Sequence, residues 1–316
     1  MIKKVLKLLL FLSLVFMVVS NIILYNHAYN FTHFVDKDLP KITTQSVKDK
    51  SLEDRLKLAF LGVEIPKSNN TIEPQTPFKT ITIGDFPTLH AWELNSSRSP
   101  KGIVLLFHGY TSKKSNMLNN AYVLQKLGYH CLLVDFRAHG DSQGLETTIG
   151  YKEAEDVKRC YDYIQNKYPK LPLVLLGTSM GSVSILKAIH DYDLKPEKLI
   201  LECPFKDMKT AVMQRFKRFK IPTVVLPDVL LFWGDWQTGI KSRTHNCVNY
   251  AQKVTIPTLM LYGANDYRVD RSEIDAVLNA LPAPKKLVVF EKGGHDHIID
   301  DVKKEWTAAV WEFLES

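Results

Sequence analysis

"LLGTSMGSVS", residues 175–184, joins an apolar run to a helix-like segment across Gly177-Thr178-Ser179-Met180-Gly181. Upstream, "LPLVLLG" (171–177) is short, unbroken and apolar; downstream, "MGSVSILKAIH" (180–190) carries apolar residues at helical spacing. Small residues two positions either side of Ser179 let a chain reverse sharply from strand to helix without a Cβ clash. A serine there stands at the sheet edge with a helix N-terminus beneath it. Its hydroxyl is a weak nucleophile unless a base lies within hydrogen-bond reach. The pattern therefore predicts a nucleophile only if such a base is supplied elsewhere in the chain.

The surroundings suit that turn. "FKTITI" and "LHAWEL" alternate around "GDFPT" and predict a β-hairpin with one face buried. Five more runs, "GIVLLFH" (102–108), "YHCLLVDF" (129–136), "KLILEC" (198–203), "PTLMLYG" (257–263) and "KLVVFE" (286–291), are short and lack alternation, as strands covered on both faces do. Helical patterns lie between them: 116–127, 151–168, 180–190, 273–281 and 302–314. Strand and helix alternating in this way predict an α/β fold with a mainly parallel central sheet, helices on both faces and a leading antiparallel hairpin. From Phe205 to about Tyr250 no strand is evident, and "RFKRFKIPTVVLPDVLLFWGDWQTG" is rich in aromatics and prolines. Ligands of such sheets bind beyond the carboxyl ends of the strands. An insertion after a strand reads as a cap over that edge, with a simple packing excursion as the alternative.

Two later strands end in polar residues. "LYGANDYRVD" places Asp266 just after one and "VVFEKGGHDHIID" places His295 just after the next. Both should emerge at the same edge as Ser179, an acid and a base following the nucleophile in the order Ser, Asp, His. Asp270 and His297 are rivals within a few residues of each.

The remaining features bound the class. The chain has 316 residues, 45% hydrophobic and 24% charged, composition suited to a globular protein and not to a disordered one. The net charge is +7, but no nucleic-acid reader motif accompanies it. Lysines 3, 4 and 7 and the run "RFKRFK" (215–220) hold part of that excess; they suit a solvated face or an anionic membrane surface. "MIKKVLKLLLFLSLVFMVVSNIILYNHAY" has an apolar stretch from about Val5 to Tyr25, close to the roughly 20 residues that cross a bilayer. Lysines precede it, so the positive-inside bias leaves the N-terminus in the cytoplasm and the rest outside. An uncleaved anchor is expected; cleavage near Val18-Val19-Ser20 would instead release the domain as a secreted or periplasmic protein. The predicted division is an anchor at 1–25, a polar stem at 26–76 and a catalytic domain at 77–316 with its cap at about 205–250. The four cysteines, 131, 160, 203 and 247, form no CxxC or CxxH pair, so no metal site is predicted.

The ordered motifs "HGY" (108–110), "DFRAHGDSQG" (135–144), "GTSMG" (177–181), "GAND" (263–266) and "GGH" (293–295) resemble the α/β-hydrolase fold superfamily, in its serine-hydrolase, lysophospholipase-like branch. The resemblance covers roughly Phe78 to Ser316. It departs at Ala138, where many relatives carry glycine. It implies Ser179 as nucleophile, His295 as base, Asp266 as its orienting acid, and backbone N–H groups of Tyr110 and Met180 as an oxyanion hole. It also implies an ester-cleaving enzyme that works through an acyl-enzyme without metal or organic cofactor, on a small-molecule or lipid ester; the apolar N-terminal stretch, read by itself, adds a membrane tether. A peptidase or amidase of the same fold, and a non-catalytic binding module, are the alternatives.

Overall fold

The computed structural model describes residues 2–39, 50–96, 99–218, 220–296 and 298–316. Eight strands form one sheet: β1 (Phe78–Ile83), β2 (Leu89–Leu94), β3 (Gly102–Phe107), β4 (Tyr129–Val134), β5 (Leu173–Thr178), β6 (Lys198–Glu202), β7 (Thr258–Gly263) and β8 (Lys285–Phe290). Their order is β1-β2-β4-β3-β5-β6-β7-β8. β1 and β2 pair antiparallel, β2 meets β4 antiparallel, and every later pairing is parallel. β3 and β5 are buried along their whole length, which is why their sequences run apolar without alternation. Each fully buried Leu, Ile or Val contributes roughly 1.5–3 kcal/mol relative to its exposed state.

The helices, in chain order, are α1 (Ile2–Thr32), α2 (Leu52–Leu61), α3 (Leu118–Lys126), α4 (Glu153–Lys167), α5 (Met180–Tyr192), α6 (Met208–Arg218), α7 (Leu226–Thr238), α8 (Cys247–Ala251), α9 (Arg271–Ala280), α10 (Ile298–Asp301) and α11 (Lys303–Glu315). α4, α5, α8 and α9 contact one another as one group, while α3, α10 and α11 form another. The strand order reverses at β3: the chain leaves β3 for β4 on one side, and leaves β5 for β6 on the other. Loops departing in opposite directions open a crevice at the carboxyl ends of β3 and β5, and that is where Ser179 stands.

The residues before the hairpin are more tightly held than a polar spacer would be. α1 continues past Tyr25 to Thr32, and Leu24, Ala28 and Thr32 form its one buried stripe. Val35 pairs with Pro66, and His33 with Glu146. Lys67 Nζ donates to the Ser142 carbonyl at 2.5 Å, and Asn70 Nδ2 to Asp135 at 2.7 Å. Much of the segment expected as a stem is thus laced onto the domain; residues 40–49 lie outside the described residues. α1 has the length and apolarity of a membrane span or a signal sequence, with a mean hydropathy of 2.5 and 6% burial over its most apolar window.

The segment 205–250, expected as a cap, holds α6, α7 and the start of α8 and, among the described residues, no strand. α7 packs along α1, and Met208, Val212, Phe216, Leu230 and Leu231 form a small second core with Leu24 and Ala28.

Candidate active site

The turn after β5 is as sharp as its glycines predict. Ser179 adopts φ 53° and ψ −112°, left-handed backbone that a side-chain-bearing residue rarely enters. A Cβ on Gly181 would lie 2.2 Å from the Phe107 carbonyl oxygen, and one on Gly177 would lie 2.5 Å from the Gly181 backbone. Both glycines are required because backbone, not movable side chain, occupies the space. The Ser179 N–H donates to the Glu202 carbonyl at 2.8 Å, tying the strained residue to the neighbouring strand.

Asp266 and His295 arrive at the same edge from the ends of β7 and β8. His295 Nε2 lies 3.0 Å from Ser179 Oγ, and His295 Nδ1 lies 2.7 Å from Asp266 Oδ2. The other Asp266 oxygen accepts the N–H groups of Arg268 at 2.7 Å and Val269 at 3.0 Å. The side chain of Asp266 is fully buried, although its backbone is partly exposed, and His295 is buried. Burial pushes the Asp266 carboxyl up. The His295 hydrogen bond and charge, with the two backbone donors, outweigh that and leave it below the usual carboxylate range. An ionised Asp266 accepts from Nδ1–H, which leaves Nε2 free to accept the serine proton.

Gly263 and the Gly293-Gly294 pair make this convergence possible. A Cβ on Gly263 would lie 2.4 Å from both the Gly293 and Gly294 carbonyl oxygens, so the two loops touch backbone to backbone.

Gly109 packs beside Ser179, since a Cβ placed on it would sit 3.5 Å from Ser179 Cβ. The loop carrying Tyr110 therefore borders Ser179 on the β3 side, while Met180 opens α5 on the other. Met180 is the first helical residue, so its N–H has no acceptor within the helix. The Tyr110 side chain points away to α1: its hydroxyl donates to the Phe31 carbonyl at 2.7 Å and its ring stacks on Phe31 at 5.5 Å.

Of the two rivals, one falls among the described residues. Asp270 is the N-cap of α9, in a capping box with Glu273. His108 and His139 are buried turn residues: His108 Nε2 accepts from the Phe136 N–H at 3.2 Å, and His139 Nε2 from the Thr111 N–H at 3.3 Å. Ala138 holds φ 63°, a left-handed position that favours glycine. His297 lies outside the described residues.

One neighbour was not anticipated. Cys203 Sγ, Asp266 and His295 bring ligand atoms within 4.8 Å of one another. Burial first, then the Asp266 charge, pushes the thiol well up, so it stays protonated. A protonated thiol and an imidazole already bonded to a carboxylate do not form a metal-ready donor set, and Cys203 is a packing neighbour. All four cysteines are buried and free.

Glu202 also escaped sequence reading. Its buried carboxyl accepts from Thr178 Oγ1 and Trp306 Nε1, each at 2.7 Å, directly below the nucleophile turn. Burial raises its pKa. The available signal was one glutamate at the end of the otherwise apolar "LILEC". A small apolar cavity between α1 and α7 is lined by Ala28, Phe31, Ile149, Val212, Leu230 and Gly234, among others. Ser179 does not line it; Phe31 is its link to Tyr110.

Known proteins resemble this chain over parts of its length. A family model described as serine aminopeptidase, S33, matches residues 98–242, a span that holds Ser179 but ends before Asp266 and His295. The uncharacterized protein YqkD of Bacillus subtilis is 25% identical over 217 residues, 67% of this chain and 71% of that one. The lysophosphatidylserine lipase ABHD12 of Danio rerio is 28% identical over 182 residues, 55% of this chain and 46% of that protein, so the chain spans about half the length of that relative. The Pyrococcus furiosus esterase Pf2001 superposes with a TM-score of 0.65 at 24% identity, covering 79% of this chain and 96% of that one. The eight-stranded sheet, its mainly parallel order and the likeness to the solved esterase give the chain the α/β-hydrolase fold.

Proposed function

We propose that the protein is a membrane-held serine hydrolase that cleaves carboxylic esters through an acyl-enzyme. The observation that carries this reading is the relay from Ser179 Oγ to His295 Nε2 at 3.0 Å and from His295 Nδ1 to Asp266 at 2.7 Å, built on a turn whose glycines have no steric alternative. Ser179 Oγ attacks the acyl carbonyl carbon while His295 Nε2 takes its proton. Asp266 holds the ring in the tautomer that accepts and stabilises the imidazolium. The Met180 and Tyr110 N–H groups receive the oxyanion. The intermediate collapses, His295 returns the proton to the leaving alcohol, and a water activated by the same nitrogen releases the acid. These steps draw only on side chains, backbone and water.

An acyl chain is the favoured substrate part: the cap and α1 enclose an apolar cavity next to the Tyr110 loop, and a lysophosphatidylserine lipase is among the similar proteins. In the same reading α1 spans the membrane with the catalytic domain on the non-cytoplasmic side. The matching family model is described as a peptidase, which favours an amide as the second reading. A fluorophosphonate probe tests the first step. It should label the full chain and leave Ser179→Ala unlabelled; equal labelling of both sinks the proposal. Paired ester and amide substrates with one acyl group then separate the two readings, with faster ester turnover expected.

A further inference from the structure

The described residues Ile2–Val19 of α1 are all exposed, and from Asn21 onward the helix is held by the cap. That free stretch, at about 1.5 Å of rise per residue, runs about 27 Å, close to the roughly 30 Å hydrocarbon core of a bilayer. If α1 spans the membrane, as proposed above, the bilayer surface falls at the level of Asn21–Tyr25. α7 meets α1 at that level. Trp233 Nε1 donates to Asn21 Oδ1 at 3.2 Å and Gln237 Nε2 to the Tyr25 carbonyl at 3.0 Å. The Tyr25 ring lies 5.3 Å from Trp233 and 6.2 Å from Trp236, and Phe232 lies 5.1 Å from Trp233.

This aromatic group is not buried in the protein. Phe232 is 58% and Trp236 66% exposed. Phe232 and Trp236 lie four residues apart on α7, one face of a helix, and Val225, the residue that caps its start, is also exposed. Just ahead of them, Ile221 and Val224 are exposed, Val224 at 87%. The exposed cations Lys217, Arg218 and Lys220 precede that run. Tyr and Trp at the headgroup level, apolar side chains beyond them and a basic margin together make up an interfacial surface.

We infer that the exposed face of α7 and the Ile221–Val225 run before it lie in the outer part of the bilayer, so that the cap rests on the membrane from which α1 emerges. The catalytic crevice then opens next to lipid, and a chain-bearing ester reaches the cavity between α1 and α7 without crossing water. Two anchoring surfaces also fix the orientation of the domain, which one helix alone leaves free to rotate.

The four native cysteines are buried, so one introduced cysteine can carry an environment-sensitive fluorophore. Full-length Phe232→Cys and, separately, Leu12→Cys are labelled in phosphatidylcholine/phosphatidylglycerol nanodiscs, with doxyl-lipid and aqueous iodide as quenchers. Leu12 is an exposed position midway along the free part of α1. Both labels should shift to the blue and lose emission to the doxyl lipid, not to iodide. A lipid-quenched label at 12 with an iodide-quenched label at 232 overturns the docked cap and leaves the span intact. Iodide quenching at both positions overturns the span as well. A blue-shifted label at 232 that neither quencher reaches means that protein, a second copy of the chain included, covers this face, and it also overturns the inference. Trp236→Cys repeats the test from the next turn if the first variant does not fold.

Discussion

The turn at Ser179 and the crossing of α1 with α7 are specified differently. At the turn, backbone meets backbone: Gly181 faces the Phe107 carbonyl and Gly177 faces Gly181, and no side chain can yield. At the crossing, side chains from residues more than 200 positions apart meet, and open space remains around them. A Cβ on Gly234, in the middle of α7, would touch nothing within 4 Å. The first region tolerates no change because its geometry is steric. The second tolerates change because its contacts are separable and its outer face, with Phe232 and Trp236, is largely exposed. Catalysis needs the first property, and admission of a bulky apolar substrate is compatible with the second.

The largest effect belongs to the turn. Ser179→Ala should lower ester turnover by about 10⁴–10⁶-fold while leaving the melting temperature near that of the parent chain, and Asp266→Asn should cost about 10³–10⁴-fold by misplacing the imidazole tautomer. Steady-state kinetics with thermal melts on the same preparations measure both. A loss of less than tenfold in Asp266→Asn would mean that another group orients His295.

That contrast also explains what the sequence disclosed. Ser179, Gly177 and Gly181 form a local pattern whose meaning is steric, so five residues suffice to announce it. The inner strands were legible because burial on both faces removes alternation, whereas β8, read from the sequence as covered on both faces, is an edge strand and only partly buried; Asp266 and His295 were legible because each follows a strand closely. Glu202 was not legible: its role depends on Thr178 and Trp306 converging on it, and Trp306 is more than 100 residues away. The same holds for Phe31 against Tyr110 and for Trp233 against Asn21. The polar look of 26–76 suggested a spacer because lone polar side chains do not reveal that Lys67, Ser68 and Asn70 bind the domain.

Replacing a glycine in each region tests the contrast directly. Gly181→Ala forces its methyl into the β3 carbonyl and should cost about 4 kcal/mol or prevent folding. A soluble, fully active Gly181→Ala protein would contradict the steric account of the turn.

Acid should act next, where the cap rejoins the domain. His245 is buried, with Nε2–H donating to the Ile149 carbonyl at 3.2 Å, and burial holds its pKa down at about 4. The unfolded chain binds a proton at this site below about pH 6.5, and the folded chain refuses it until about pH 4. Stability is therefore complete above pH 6.5 and falls as the pH drops toward 4, by up to about 3 kcal/mol from this one group. His245→Gln should melt at a temperature that depends less on pH across that window. An unchanged slope would assign the acid sensitivity to His108 and His139, which burial also lowers.

Gly234→Ala is the smallest change and the most discriminating for the crossing. Glycine inside a helix costs roughly 0.5–1 kcal/mol relative to alanine, because the unfolded chain has more conformations to lose. Gly234 is interior to α7, its φ is not in the left-handed region, and a methyl there would project into open space beside the α1 contact. The substitution should therefore raise stability by about 0.5–1 kcal/mol, opposite in sign to Gly181→Ala. The same methyl enters the apolar cavity, so turnover of a long-chain ester should fall relative to that of a short one if the cavity holds the chain. A rise in the melting temperature with unchanged chain-length preference would keep the open helix packing and remove the cavity from the substrate path. A fall in the melting temperature would mean that α1 and α7 close more tightly than the space around Gly234 allows.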